Sequence, residues 1–193
     1  MALVEFALTL PLITTLGVGG FELANLALTN LRVNQIALSV ADNAGRVTSR
    51  IDEANIVEVF AGARVTGEPI NFQENGRIVL SSLEHNGLDD DDEGQVINWQ
   101  RCWGDLDGVA PRYGVEETGR DDGSLQGMGT GDRQIASLEN TAVMFVEVTY
   151  RYQPVIARLF TPPTIRYESA FIVRGRTEND ISNTASLPVN DCD

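Results

Sequence analysis

The fold is decided by the first 21 residues, Met1-Ala-Leu-Val-Glu5-Phe6-Ala-Leu-Thr-Leu-Pro11-Leu-Ile-Thr-Thr-Leu-Gly17-Val-Gly-Gly20-Phe21. The segment carries one charged residue, Glu5, and from Phe6 onward it contains only Thr, Pro and Gly besides apolar residues. A buried helix of a soluble protein usually has a polar face, which this segment lacks. Its length approaches the ~20 residues that a helix needs to cross a bilayer. We therefore expect residues 1–21 to form a membrane-capable helix.

A cleavable signal peptide is the main alternative for this segment. Signal peptides carry Lys or Arg before the apolar region and small residues at a cleavage site. Here the first basic residue is Arg32, and the helical pattern continues past Gly20 without a processing point. The composition favours a retained helix.

Several residues of the segment are suited to close helix packing. Small residues such as Gly17 and Gly20 permit helices to approach closely in apolar surroundings. Pro11 removes one backbone hydrogen bond and is expected to kink or loosen the helix. Thr14 and Thr15 can bond back to the carbonyl four residues earlier. We expect Pro11, Gly17, Gly20 and Phe21 to pack in a helical core.

Glu5 is the anomaly of the segment, because an ionisable group in an apolar helix is costly and is by default a functional candidate. One interpretation places it at the headgroup interface. The other pairs it with a cation that arrives only on assembly, the free amino group of Met1 on a neighbouring subunit. In this second interpretation Glu5 and Met1 form an ion pair between subunits.

Composition excludes several classes of protein. The net charge is −14, which argues against binding nucleic acid or docking electrostatically on anionic lipid. The two cysteines and single histidine provide no zinc ligand set. In an oxidising compartment, Cys102 and Cys192 are expected to form a disulfide, with two unpaired thiols as the alternative. Closing that loop would contribute roughly 4–5 kcal/mol in the chain-entropy model.

Downstream patterns predict an α+β fold, in which the long N-terminal helix packs on an antiparallel β-sheet head domain. An apolar stripe at helical spacing extends the first helix as an amphipathic stalk over 22–50, to about Ser49. Asp52 is expected to cap a short helix through Phe60, followed by an exit loop from Gly62 to Pro69. Period-two segments predict strands at 77–84, 95–103, 142–152 and 164–174, in hairpin order. The domains are thus 1–50 and 51–193.

The loops offer weak candidates for chemistry. Asp89, Asp91 and Glu93 belong to a run of five acids that resembles a calcium loop only in composition, and a solvated charged loop is the favoured interpretation. No Ser–His, Cys–His or phosphate-binding constellation is present in the sequence. We predict no enzymatic activity and no cofactor. The aromatic residues of the head are assigned to core packing rather than to a glycan-binding face.

Leu3-Val4-Glu5-Phe6-Ala7-Leu8-Thr9-Leu10-Pro11-Leu12, followed by Gly19-Gly20-Phe21-Glu22-Leu23-Ala24, resembles the N-terminus of TadE-like proteins. These are pilin-like and pseudopilin subunits of tight-adherence (Flp-type) pili, a branch of the type IV pilin superfamily. The resemblance covers roughly residues 2–48. Glu5 and Phe6 match the family's Glu-aromatic pair, which implies that Glu5, with Met1, registers one subunit on the next and that Phe6 belongs to the helical core. A chain that begins four residues before Glu5 looks like a mature form cut by prepilin peptidase, with Met1 as a start codon the open alternative. A head of about 140 residues departs from the very small major pilins of such systems.

The resemblance implies a structural subunit that polymerises through its N-terminal helix into a helical filament. The implied partners are other copies of the chain, the inner membrane before assembly, prepilin peptidase and the pilus assembly machinery. The implied location is an extracellular pilus on a Gram-negative cell, with the head exposed for adhesion. Two alternatives stay open: a minor pseudopilin that initiates or caps assembly, and a membrane-anchored binding module that never polymerises.

Overall fold

The structure is a computed structural model that describes residues 2–131, 133–156, 162–176 and 178–192. It has the predicted α+β fold, a long N-terminal helix packed on a four-stranded antiparallel sheet. The helix α1 runs over Ala2–Gly45 without interruption at Pro11. Its second half buries the predicted apolar stripe, including Val33, Ile36 and Val40. Burial of this stripe, rather than helix propensity, fixes the stalk against the sheet.

Helix α1 ends at Gly45, before the predicted end near Ser49. The side chain of Arg176, which is buried, donates hydrogen bonds to the carbonyls of Ala44 (2.8 Å) and Val47 (3.1 Å). A cation at this position complements the negative end of the helix dipole and satisfies carbonyls that have no partner within the helix. Burial lowers the pKa of the Arg176 guanidinium.

The second helix, α2 (Glu53–Gly67), is capped by Asp52 as predicted, with the Asp52 carboxylate accepting from Ala54 N at 3.1 Å. The prediction of an exit loop from Gly62 to Pro69 was wrong. The helix continues to Gly67, a 3₁₀ turn follows over Glu68–Ile70, and a short helix α3 (Phe72–Asn75) leads into the sheet. Packing outweighs the weak helix propensity of glycine here, since a Cβ on Gly67 would lie 2.5 Å from that of Phe72.

The sheet contains β1 (Gly76–His85), β2 (Gln95–Trp103), β3 (Ala142–Arg151) and β4 (Thr164–Ile172). These bounds agree with the predicted strands to within two residues. The predicted hairpin order was wrong, because the strands lie in the order β2-β1-β3-β4. The connection between β2 and β3 is long enough to cross the sheet, so β3 pairs with β1 and not with β2.

Both faces of the sheet are covered. The inner face packs against α1 and α2 through residues such as Leu80, Met144 and Val148. The outer face, which carries Val143 and Phe145, is covered by the long connection after β2. That connection contributes Leu125 and Met128 to the second apolar cluster. It therefore forms part of the head's core.

The direction of α1 relative to the sheet defines two ends of the head. At the basal end, the side chain of Glu22 contacts Tyr152, just after β3. At the distal end, Gly45 accepts a hydrogen bond from Arg174 N, just after β4 (3.2 Å). Helix α1 therefore runs alongside β4 in the same direction. Strand β1 is parallel to both, because it and β4 are each antiparallel to β3.

Candidate functional site

The first half of α1 packs on nothing in the head. Every described side chain from Val4 to Val18 is exposed. Nine large apolar side chains between Val4 and Phe21 keep 43% to 74% of their surface exposed: Val4, Phe6, Leu8, Leu10, Leu12, Ile13, Leu16, Val18 and Phe21. At 1.5 Å per residue this part of the helix extends about 27 Å. By length and composition α1 can cross a membrane, which is weak evidence of insertion because only one such helix is found in the described chain.

Glu5 lies on this exposed segment beside Phe6, which is 63% exposed. The hydroxyl of Thr9 donates to the backbone carbonyl of Glu5 at 3.0 Å. Within the described part of the chain the Glu5 carboxylate has no hydrogen-bond or ion-pair partner. Its predicted partner, Met1, lies outside the described residues. The pairing of Glu5 with the amine of a neighbouring Met1 therefore stays a prediction.

The predicted packing residues of the segment are also uncovered. Apart from the adjacent residues and the nearby backbone of the helix itself, no described atom lies within 4 Å of the position that a Cβ would take at Gly17, Gly19 or Gly20. This surface is open to the approach of another helix. The threonine prediction is confirmed: Thr14 donates to Leu10 O (2.9 Å) and Thr15 to Pro11 O (2.7 Å). Their hydroxyls are thus satisfied without water, as an apolar environment requires.

A polar junction at the basal end was not predicted. Glu22 is 4% exposed and accepts hydrogen bonds from the Tyr152 hydroxyl (2.6 Å) and from Ile156 N (3.1 Å). Asn25 donates to the same hydroxyl at 2.8 Å. Burial and the bond to Glu22 raise the pKa of Tyr152. The junction joins α1 to the chain after β3, at the point where the helix leaves the head.

The signal for this junction was present in the sequence. Extending the buried stripe of α1 backwards from Val33 by helical spacing reaches Thr29, Leu26 and then Glu22. Glu22 therefore falls on the face that the head covers, and a carboxylate on such a face requires a donor. Periodicity alone does not identify the donor, because Tyr152 is 130 positions away in the sequence.

The predicted disulfide between Cys102 and Cys192 is present, with the Cα atoms 4.9 Å apart. Cys102 N also donates to Asn190 O at 2.8 Å. The tail therefore lies along the outer edge of β2. Covering an edge in this way protects it from pairing with other chains.

The acidic loop, defined as Asp89–Glu93, is exposed at the distal end after β1. Among the described residues, which include the candidates Asp89, Asp91 and Glu93, no group of three or more His, Cys, Asp or Glu is arranged to hold a metal ion. Asn86 fixes the loop by donating to Asp92 O (2.9 Å) and accepting from Gly94 N (3.1 Å).

Most aromatic residues of the head are packed in its interior. Tyr150 and Phe72 are stacked with ring centroids 5.8 Å apart, and Trp103 stacks on Phe72 at 5.9 Å. Trp99 and Tyr150 are each 1% exposed. This arrangement agrees with the assignment of these residues to the core rather than to a glycan-binding face.

The comparisons with known proteins found no match: no protein-family model, no curated protein and no solved structure is similar to the chain. The site is therefore defined by its own geometry. It is an exposed apolar segment that carries one carboxylate, on a helix that continues without a break into the packed head.

Proposed function

We propose that this chain is a pilin-like structural subunit that polymerises through residues 1–21 into an extracellular filament of the tight-adherence type. The observation that supports the proposal is the exposure of the large apolar side chains of α1 from Val4 to Phe21 in the single chain. Burial of nine large apolar side chains is worth about 14–27 kcal/mol in total relative to water. That exceeds the stability of most domains, so the segment requires lipid or neighbouring helices as its surroundings.

The two surroundings correspond to two stages. Before assembly, the segment lies in the inner membrane, where its apolar side chains contact lipid. In the filament, helices from other copies replace the lipid. The gain in apolar burial is then small, because lipid tails are as apolar as leucine, and close packing at Gly17 and Gly20 becomes the favourable contact.

Glu5 supplies the registration between neighbours. An unpaired carboxylate in apolar surroundings is strongly unfavourable. An opposite unit charge 4 Å away stabilises it by about 4 kcal/mol of Coulomb attraction at an effective dielectric of 20. In the proposal, the amine of a neighbouring Met1 provides that charge. The pairing is satisfied only at one axial offset between helices, so it selects a single register. Heterologous contacts of this kind generate open filaments.

Electron microscopy of surface filaments tests the proposal, combined with three variants of the same chain. Glu5→Ala and Glu5→Gln are expected to abolish filaments while leaving the head folded, since Glu5 contacts nothing in the head. Glu58→Ala removes an exposed carboxylate from α2 and is expected to assemble normally. Filaments of normal length and number from Glu5→Gln would contradict the role of Glu5.

A chemical cross-link tests the pairing directly. The chain contains no lysine, so its α-amino group is the only primary amine. A zero-length carbodiimide reagent applied to assembled filaments is expected to join Glu5 of one copy to the amine of the next, and mass spectrometry identifies the peptide. Finding the chain only as monomers in membranes would instead favour the non-polymerising binding module.

A further inference from the structure

We infer that the heads of successive copies are joined by a second contact, in which the acidic loop of one copy enters an arginine-lined pocket at the basal end of the next. This inference rests on the proposed function, because it requires copies stacked along the direction of α1. It names a surface of the head, whereas the filament contact proposed above involves only the helix. The argument starts from the pocket.

The basal pocket is a cavity of about 190 Å³ on the outer face of the sheet. Arg77, Thr149 and Arg166 lie in one row across β1, β3 and β4 and form its floor. Arg112, from the long connection, and Glu147, from β3, complete its polar lining. Three of the 14 cationic side chains of an acidic chain thus converge on one small cavity.

The arginine side chains of the pocket are not all paired with carboxylates of the same chain among the described residues. Arg112 is paired with Glu168 at 2.6 Å. Arg77 donates to the Gly104 carbonyl at 2.9 Å, its Nε has no partner in the described structure, and neither Arg77 nor Arg166 forms an ion pair there. Burial raises the pKa of Glu147 to about 7, so this carboxyl is partly neutral near pH 7. The pocket therefore presents two guanidinium groups, those of Arg77 and Arg166, that form no ion pair within the described residues, and such groups suit a carboxylate ligand.

The acidic loop has the complementary property. Its acidic side chains are exposed and consecutive, so they repel one another, and within the described residues the only ion-pair partner of the loop is His85, 3.5 Å from Glu93. Hydrogen bonds from Asn86 and Gln126 hold its backbone, with Gln126 donating to Glu93 O at 2.9 Å. A loop fixed in this way loses little conformational entropy when it binds.

The positions of the two features fit a head-to-tail stack. The pocket row contains Arg77 at the start of β1, and the acidic loop follows His85 at its end. Eight residues of strand separate them, about 26 Å along the direction of α1. Copies displaced along that direction with their helices parallel bring the distal loop of one copy to the basal pocket of the next. The two surfaces differ, so the contact is heterologous and repeats without closing.

Disulfide trapping tests this contact in the full chain. Asp91→Cys combined with Arg166→Cys is expected to give a ladder of dimers, trimers and longer multimers when filaments are oxidised and run on a non-reducing gel. The native cysteines do not interfere, because both are in the disulfide. Asp91→Cys combined with Arg64→Cys, an exposed arginine on α2, is the matched control and is expected to give no ladder.

Charge reversal provides the second measurement. Arg166→Glu and Asp91→Arg are each expected to lower filament yield, and the combined variant to restore it. The combined variant has the net charge of the unmodified chain, so its recovery is not an effect of total charge. Failure of the combined variant to recover, or a disulfide ladder that stops at dimers, would overturn the inference. The unmodified chain would still form filaments in those cases, whereas absence of filaments from the unmodified chain would contradict the proposed function.

Discussion

Tyr152 donates its phenolic hydrogen to Glu22 across 2.6 Å, and this bond joins the sheet to α1 at the last turn before the helix leaves the head. The exposed segment begins immediately beyond it, at Phe21. The orientation of the head relative to the apolar helix is therefore determined at this junction. In a filament, a change of that angle would move every head away from its neighbours.

Removing the hydroxyl is expected to destabilise the head. Tyr152→Phe leaves Oε1 of a buried carboxylate without its donor, at a cost of about 1–3 kcal/mol. Urea unfolding of the full chain in mild detergent, followed by the fluorescence of Trp99 and Trp103, measures the loss. Tyr167→Phe is the control, because the Tyr167 hydroxyl has no hydrogen bond in the described residues, and a change below about 0.5 kcal/mol is expected. Equal effects of the two variants would contradict the role of the junction.

The two carboxylates that bind Arg101 are expected to differ in importance. The side chain of Glu53 is 2% exposed and that of Glu116 is 46% exposed, and they lie 2.6 Å and 3.0 Å from the same guanidinium. Glu53→Ala leaves Arg101 buried without its main partner and is expected to cost about 3–5 kcal/mol. Glu116→Ala removes an exposed pair worth about 0–1 kcal/mol. Chemical denaturation of both variants checks the order, and a larger loss from Glu116→Ala would reverse it.

Glu147 is expected to make stability fall as pH rises. Burial raises its pKa from 4.5 to about 7, so the folded chain retains a proton that the unfolded chain releases in this window. The stability from this proton is fully present below pH 4.5 and is lost as pH rises through 7. Glu147→Gln keeps the polar shape without the charge. At pH 8 its free energy of unfolding is expected to exceed that of the unmodified chain by on the order of 2–3 kcal/mol, and near pH 5 the two values are expected to be equal.

Unfolding measured at several pH values checks the Glu147 prediction. The comparison uses the difference between the variant and the unmodified chain, because the net charge of −14 also disfavours the folded state at high pH. Glu58→Gln, which alters an exposed acid, serves as the control. A pH-independent difference for Glu147→Gln would refute the assignment.

Opening the disulfide is expected to release the C-terminal tail from β2. The bond closes a loop of 90 positions, and its loss typically costs about 2–5 kcal/mol. Cys102→Ser combined with Cys192→Ser is compared with the unmodified chain by urea unfolding and by hydrogen exchange. Faster hydrogen exchange is expected at the backbone amide of position 102, which donates to Asn190 O in the unmodified chain. Unchanged protection there would show that the tail stays in place without the bond.

Local signals predicted the elements of this fold well. The apolar stripe beginning at Val33 predicted the stalk, and the Asp52 cap predicted the start of α2. The alternation of polar and apolar residues predicted four strands. Besides the early end of α1 at Gly45, two predictions failed because of packing. Gly62 suggested a loop, but the remaining turns of α2 are held by contacts with residues such as Phe72 that are close in space. The strand order depended on the crossing of the long connection, which carries no periodic signal.

The candidate site was predicted in part. Glu5 and the apolar residues around it are recognisable from composition alone, because a charge in an apolar run is unusual wherever the chain folds. Glu22, Glu147 and the arginine row are not recognisable in this way. Their character depends on which distant residues surround them, such as Tyr152 for Glu22 and Thr149 between Arg77 and Arg166.

The sequence by itself determined that the chain has a long helix with an uncovered apolar half, a β-rich head and a cysteine pair, since periodicity and composition act within a few turns or strands. Only the tertiary structure decided the strand order, the bond between Tyr152 and Glu22, the raised pKa of Glu147 and the opposite ends at which acidic loop and basal pocket lie. These properties arise from burial and from contacts between residues far apart in the chain, which become defined only when the sheet and the helix pack together.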